Sequence, residues 1–249
     1  MQYQIPDQLP QLAVGSHERG SGMACIMNAI SYLNGDLEIT DMPDCTYQTL
    51  SVVAMNLNDS LCMHRDSCGP ICPSCSNKIW LFGARIIGTA EAVAGWSDYQ
   101  KHVLNTRLAI WCARQVLGII PTSTEVRTGC EIMIRSAEAW CDGEPLGVVP
   151  VLVTSYTNQA IYHASLAAKA AFLTATATDL PYSAGGVANA YTNALVAKSS
   201  DRTPDQLAVI RLEMANGFVD EFERLTGTRS VGFSADAYET VTREAALVR

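Results

Sequence analysis

Apolar residues recur at helical spacing along most of this chain, and that periodicity limits the fold more than any other property. It is clearest after residue 206, in the series Leu207, Ile210, Met214, Phe218, Phe222 and Leu225. The preceding segment Thr203-Pro204-Asp205-Gln206 combines an N-cap residue, proline at the first helical position and a glutamine three residues after the cap. The pattern predicts a helix that begins at Pro204 and ends near Gly227.

Similar spacing predicts helices over residues 23–33, 46–61, 79–93, 98–117 and 124–141, with Ala-rich helices in 154–199. Thr46 is expected to cap the second helix, and Ser234 a last one at the C-terminus. The short apolar run Leu146 to Val153 lacks a neighbouring strand partner, so we interpret it as a buried connection. We expect an all-α fold, an irregular bundle of about seven to nine helices in a single domain over 1–249, with a subdivision near 145–155 as the alternative.

Composition and charge narrow the class of protein. Of the 249 residues, 48% are hydrophobic and 17% charged, which predicts a globular chain. The formal charge of -8 opposes binding to nucleic acid, and no apolar run has the length of a membrane span. The segment Met1 to Val14 has no cationic stretch followed by an apolar one, so a cytoplasmic location is expected. Nine cysteines in a reducing compartment are expected as thiols.

The chemistry-bearing residues are most concentrated between Met63 and Asn77. Three thiols and an imidazole lie there within a dozen positions: His64, Cys68, Cys72 and Cys75. Pro70 and Pro73 exclude a regular helix interior and favour a tightly turning loop. Because Zn²⁺ prefers soft tetrahedral nitrogen and sulfur sites, these four residues are the predicted metal ligands and zinc is the only cofactor expected. The alternative is that the thiols pack in the loop without a metal.

Two resemblances to known enzyme families involve the same cysteines and the segment around the start of the first helix. Cys68, Cys72 and Cys75 have the spacing of radical-SAM enzymes, and 142–145 resembles a segment of those enzymes. That resemblance implies an iron–sulfur cluster and a β/α barrel. The segment Ser21–Cys25 resembles the first helix of bacteriocin-processing cysteine peptidases, whose nucleophile stands at the position of Ser21. It implies a β-sheet half that our helical prediction lacks.

Few histidines are available to act as the base that activates a thiol nucleophile. His102 and His163 lie on predicted helices. Cys25 lies near a helix N-terminus with His17 close in sequence, so a Cys/His pair is one interpretation. Cys25 also belongs to the apolar stripe of its helix, which favours a buried structural cysteine.

A broader resemblance covers about the first 140 residues. The chain is similar to an uncharacterised helical family of actinobacteria and their bacteriophages. The matching segments are Cys25-Ile26-Met27-Asn28-Ala29-Ile30-Ser31-Tyr32, Gly35, Asp41-Met42-Pro43-Asp44-Cys45, Ile87-Gly88-Thr89-Ala90 and Arg107-Leu108-Ala109-Ile110-Trp111. The family motif has Glu where this chain has Asn28 and His where it has Met42, so the resemblance implies no acid–base or metal role for these two residues.

The resemblance implies a phage or mobile-element context and a helical fold that binds a host component or another phage protein. The sequence shows neither a paired-carboxylate motif nor a phosphate-binding glycine loop. We therefore expect a non-enzymatic helical protein that acts through a binding or assembly surface, in the bacterial cytoplasm or in the virion. Its expected partner is another protein or a second copy of itself. The zinc protein described above is the alternative.

Overall fold

The computed structural model describes residues 11–15, 22–63, 69–122, 124–147, 158–177, 180–199 and 201–228. Within these ranges the chain forms eight α-helices, two 3-10 helices and one pair of two-residue strands. The predicted all-α fold with seven to nine helices is confirmed. The chain divides into two compact units, one containing the described residues up to Ala94 and from Thr226 on, and one running from Gly95 to Leu225. The single domain over 1–249 remains a prediction.

The first unit packs three helices beside a short strand pair. Its elements are β1 Gln11–Leu12, β2 Met23–Ala24, α1 Ile26–Asn34, α2 Gln48–Ser60, α3 Pro73–Ile86 and a 3-10 helix Glu91–Val93. The two strands are parallel, with Gln11 opposite Met23. The three helices contact one another. The predicted stripe of α2 is confirmed, because Leu50, Val53, Leu57 and Leu61 are all buried.

The second unit is built from five helices. They are α4 Asp98–Val116, α5 Glu125–Cys141, α6 Gln159–Thr174, α7 Leu180–Lys198 and α8 Pro204–Thr226, with a 3-10 helix Leu117–Ile119 after α4. Helices α6 and α7 contact each other, and both carry buried alanines, including Ala164, Ala168, Ala184 and Ala188. Small side chains allow such helices to approach closely. The Phe218 ring of α8 meets Trp111 of α4 edge-on, at 6.3 Å between centroids.

Most helix ends follow the predicted signals. The Gln206 N–H donates to Thr203 Oγ1 and the Gln206 side chain accepts from the Thr203 N–H, so the predicted capping box of α8 is confirmed. Gly35 ends α1 at φ 80°, in the left-handed region where glycine is favoured. The prediction for Thr46 was wrong. Tyr47 is the N-cap of α2, because the Thr46 hydroxyl instead donates to Pro43 O and contacts Ser51 Oγ.

The third helix begins earlier and ends earlier than predicted. It was expected over 79–93, but α3 begins at Pro73, because a proline in the first turn has no N–H to leave without a partner. It ends at Ile86, and Gly88 follows at φ 83°. The predictions for Leu146 to Val153, apart from its first two residues, and for the helix after Ser234 lie outside the described residues. None of the described helices is both long enough and apolar enough to cross a membrane.

Candidate metal centre

Three thiols meet in the first unit where α2 ends and α3 begins. The Sγ atoms of Cys62, Cys72 and Cys75 all lie within 4.8 Å of one another. Among the described residues, this is the group of His, Cys, Asp and Glu side chains that lie close enough to share one metal ion. Cys62 and Cys75 are buried and Cys72 is partly exposed. The cluster is therefore a soft, largely enclosed site with one edge open to solvent.

The end of α2 positions Cys62. Leu61 caps the helix, and its N–H donates to Leu57 O at 2.9 Å. The Leu61 side chain is fully buried and continues the apolar stripe of α2. Since Cys62 follows directly, its backbone is held where the core holds Leu61.

A backbone contact with β1 positions the start of α3. Ile71 N–H donates to Leu12 O at 2.8 Å, and Pro70 forms an antiparallel bridge with Ala13. Both Ile71 and Leu12 are buried. The next residue, Cys72, is the extended N-cap of α3, and its carbonyl accepts the first helical hydrogen bond from Ser76 at 2.8 Å. The core therefore fixes the entry of the chain into α3.

Cys75 lies less than one helical turn beyond Cys72. In the first turn of a helix, residues three positions apart lie on neighbouring parts of one face. Pro73 and Ser74 separate the two thiols, and proline at the first helical position agrees with the φ that the helix requires. The Cys-Pro-Ser-Cys segment and its helix start together present both sulfurs toward Cys62.

The spacing of the sulfurs suits a tetrahedral metal. Zinc–sulfur bonds of about 2.3 Å place two sulfurs of one tetrahedral site about 3.8 Å apart. The observed limit of 4.8 Å is close to this value, so rotations of the cysteine side chains bring the ligands to the required distance. Three protein ligands leave one position of the tetrahedron for a further group.

The electrostatics of the cluster change when a cation is bound. Burial, together with hydrogen bonding and charge from Cys72 and Cys62, raises the pKa of the Cys75 thiol to about 12. Without a cation, Cys75 therefore keeps its proton. A divalent ion reverses this preference because a coordinating thiol is deprotonated by the metal. The N-terminal end of α3, which carries no acidic residue in its first turn, also favours negative charge.

The structure brings together two of the four predicted ligands. Cys72 and Cys75 lie in the cluster, while His64 and Cys68 lie outside the described residues. Cys62 was not among the predicted ligands. Cys62 directly follows the last apolar residue of the α2 stripe and precedes Cys72 by ten positions. A helix–loop–helix interpretation of this segment would have indicated that the chain returns to the end of α2.

Cys25 has a structural position at the start of α1. It is the N-cap, and its Sγ accepts from Asn28 N–H at 3.3 Å. The Cys25 thiol contacts Asp41 Oδ1 at 3.5 Å, and Asn28 Nδ2 donates to the same oxygen at 2.9 Å. Burial raises the pKa of Cys25 to about 12. This environment opposes a thiolate nucleophile and agrees with a buried structural cysteine; His17 lies outside the described residues.

The other sequence candidates are engaged in ordinary packing or lie outside the described ranges. His102 Nε2 is hydrogen-bonded to Thr174 O at 2.8 Å, and its ring lies 4.6 Å from that of Trp140. His163 packs against the adjacent Tyr162 ring. Ser21, at the nucleophile position of the peptidase resemblance, lies outside the described residues, which contain no sheet beyond the two-stranded pair.

The all-α fold differs from the β/α barrel that the radical-SAM resemblance implies. The described ranges contain no β/α barrel, and Cys68 lies outside them. Asp142 forms an ion pair with Arg107 at 2.8 Å in the turn after α5, and Gly143 has φ 93° there. Comparison of the chain with protein-family models, with curated proteins and with solved structures found no match.

Proposed function

We propose that this protein binds zinc through Cys62, Cys72 and Cys75. The observation that supports the proposal is the mutual approach of the three sulfurs to within 4.8 Å, at a place where two of them are buried. Thiolate ligands select soft or borderline ions such as Zn²⁺, whereas Mg²⁺ and Ca²⁺ prefer oxygen ligands. In a reducing compartment, three neighbouring thiols, two of them buried, are also more consistent with a metal site than with a disulfide.

The expected role of the ion is structural. It would join the end of α2 to the start of α3 and so close the connection of nine residues between Cys62 and Cys72. The start of α3 is in turn bonded to β1 through Ile71 and Leu12. Because an unfolded chain holds no preformed site, the free energy of metal binding adds to the stability of this unit.

The fourth position of the tetrahedron distinguishes a closed site from an open one. His64 and Cys68, which the sequence predicts as ligands, lie in the connection between Cys62 and Cys72. A closed site takes one of them as its fourth ligand and has a purely structural role, whereas an open site keeps water there. Coordination by His64 or Cys68 stays a prediction.

Zinc content per chain tests the proposal. Protein purified under reducing conditions, equilibrated with zinc and freed of excess metal, is expected to hold one zinc ion by elemental mass spectrometry. Cys75→Ser should lose that ion, and Cys62→Ser should do the same. The matched control is Cys45→Ser, because Cys45 is a buried thiol of the same unit outside the cluster; it should keep the zinc.

Folded wild-type protein without zinc would refute the proposal, and so would zinc that survives Cys62→Ser and Cys75→Ser together. Iron with inorganic sulfide in place of zinc would instead support an iron–sulfur site. His64→Ala and Cys68→Ser address the fourth ligand in the same assay. A loss of zinc affinity in one of them identifies the closed site, because a direct ligand has been removed; unchanged affinity in both identifies the open one.

A binding or assembly surface, in a phage or mobile-element context, remains the prediction from the family resemblance. It is compatible with the zinc proposal, because a structural ion would rigidify the segment between α2 and α3 without supplying chemistry of its own. The partner would then be another protein or a second copy of the chain. If removing zinc changed how the protein binds its partner or a second copy of itself, the zinc site and the binding surface would be connected.

A further inference from the structure

The two cysteines at the start of α3 differ in their access to solvent. Cys72, the N-cap residue, is partly exposed, whereas Cys75 at the third helical position has only 2% of its surface exposed. A molecule that arrives from solvent therefore meets the Cys72 sulfur first. The Cys75 sulfur lies within 4.8 Å of the Cys72 sulfur.

We infer that Cys72 and Cys75 form a redox-active dithiol that exchanges with small-molecule disulfides of the glutathione type. This inference does not depend on the zinc proposal, because the exchange uses the metal-free thiols. Two cysteines separated by two residues at a helix start are the arrangement in which thiol–disulfide exchange is favoured. Cys72 has the role of the attacking thiol and Cys75 that of the resolving thiol.

The exchange proceeds in two balanced steps. The Cys72 thiolate attacks one sulfur of the external disulfide, forms a mixed disulfide and releases one external thiolate, which takes up a proton. The Cys75 thiol then attacks the Cys72 sulfur, gives up its proton to the departing external sulfur and so releases the second external thiol. The two cysteines lose two electrons in total, and the external disulfide is reduced by the same two electrons to two thiols.

The geometry needs little rearrangement for this product. A disulfide requires the two sulfurs to approach to about 2.0 Å, and side-chain rotation supplies this movement when both cysteines lie in the same helical turn. Pro73 restricts the backbone between them. The reacting sulfurs lie at the N-terminal end of the 14-residue helix α3. The positive end of the helix dipole there favours the Cys72 thiolate that attacks in the first step.

The third thiol of the cluster competes for the same chemistry. The Cys62 sulfur lies within the same 4.8 Å, but Cys62 is only 3% exposed and belongs to the end of α2. It is therefore a poorer target for an external disulfide than Cys72. Cys72 and Cys75 also belong to one helical turn, so Cys72–Cys75 is the expected bond.

Mass spectrometry of the metal-free, fully reduced protein tests the inference. Treated with glutathione disulfide at one fixed pH, the wild type should lose two hydrogens and release two molecules of glutathione, and peptide mapping should find the Cys72–Cys75 bond. Cys75→Ser should stop at the mixed disulfide and gain one glutathionyl group on Cys72. Cys72→Ser should react at least ~10-fold more slowly. This variant is expected to fold, because serine is a better N-cap than cysteine.

Cys45→Ser is the matched control, since it removes a buried thiol of the same unit and leaves the whole cluster intact; it should behave as the wild type. The inference is overturned if folded wild type stays reduced, if glutathione attaches first to another cysteine, or if the bond forms to Cys62. The zinc assay gives an independent result. A Cys72–Cys75 disulfide that forms in a protein without zinc affinity supports this inference and refutes the zinc proposal, and the reverse outcome does the opposite.

Discussion

Gly83 of α3 lies directly against Ile26 of α1, so closely that a Cβ atom at Gly83 would lie 2.6 Å from Ile26 Cδ1 and 2.8 Å from its Cγ1. Ile26 is completely buried at the start of its helix. A branched side chain in a closely packed core has few alternative rotamers. The hydrogen of Gly83 therefore sets the distance at which α1 and α3 pack.

Gly83→Ala is expected to lower the free energy of unfolding by about 1–3 kcal/mol, because the added methyl overpacks the α1–α3 contact. This loss exceeds the roughly 0.5–1 kcal/mol that alanine contributes over glycine within a helix. Denaturant unfolding followed by circular dichroism measures it. Gly186→Ala in α7 is the control, since no neighbouring atom lies within 4 Å of the place that its new methyl group would take, and it should be neutral or stabilising.

The same contact predicts a compensating pair. Ile26→Val removes the Cδ1 atom that lies nearest to the new methyl group, so Gly83→Ala and Ile26→Val together should cost less than the sum of the two single changes. A coupling of about 0.5–3 kcal/mol is expected from a double-mutant cycle. Strict additivity would contradict the direct contact.

Asn58 joins two backbone segments in the core of the first unit. Its Oδ1 accepts from Ile26 N–H at 3.2 Å, and its Nδ2 donates to Ala13 O at 2.9 Å. Asn58→Leu leaves both backbone groups without this partner, so we expect a loss of about 2–4 kcal/mol in unfolding free energy. Hydrogen exchange should show reduced protection of the Ile26 amide. Asn56→Leu, in the same helix but only partly buried, should leave that protection unchanged.

Alkaline pH should destabilise the protein. Burial raises the pKa of Cys25 to about 12 and the pKa values of Cys45, Cys130 and Cys141 to about 11, from an ordinary thiol value of 9.0. The folded state thus keeps protons that the unfolded state releases. The resulting stability is complete below about pH 9 and is lost as pH rises toward 11–12, with a slope of at most about 1.4 kcal/mol per pH unit for each thiol.

Denaturant unfolding under reducing, metal-free conditions between pH 7 and pH 10 measures this slope. Cys130→Ala removes one of these thiols, so its stability should fall less steeply with pH than that of the wild type, whatever its stability at pH 7. The remaining thiols contribute equally to both proteins. If the stability of the variant and of the wild type fell in parallel with pH, Cys130 would not contribute to the loss of stability at alkaline pH.

Arg114 and Glu138 form a paired contact between α4 and α5, with Nε to Oε1 and Nη2 to Oε2 both at 2.6 Å. The two side chains are 50% and 33% exposed, so solvent screens the pair. A double-mutant cycle with Arg114→Ala and Glu138→Ala should give about 0.2–1 kcal/mol, and less in high salt. A larger, salt-independent value would be inconsistent with this exposure.

The helices were largely predictable because their signals are local. The stripe of α2, the capping box at Thr203 and Gln206 and the stop at Gly35 all act within a few residues. Three errors concern residues whose local signal has a second interpretation. Met23 and Ala24 form β2 although a helix was predicted from residue 23. Thr46 was predicted as a cap but bonds elsewhere, and Pro73 was assigned to a loop although it begins α3.

The candidate site was only partly predictable from the pattern of cysteines. Cys72 and Cys75 were among the predicted ligands because they lie close together in sequence. Cys62 joins them because α2 ends beside the start of α3, and no local spacing encodes that approach. The contact of Ile71 with Leu12, which holds the start of α3, likewise links residues almost sixty positions apart.

By itself, the sequence determined the fold class, the number of helices within a narrow range and most helix ends, since periodicity and capping depend on neighbours along the chain. Only the tertiary structure decided which thiols share a site and which glycine sets a helix–helix distance. Those properties depend on how buried faces pack across long separations, where the shape of each side chain matters more than its hydrophobicity.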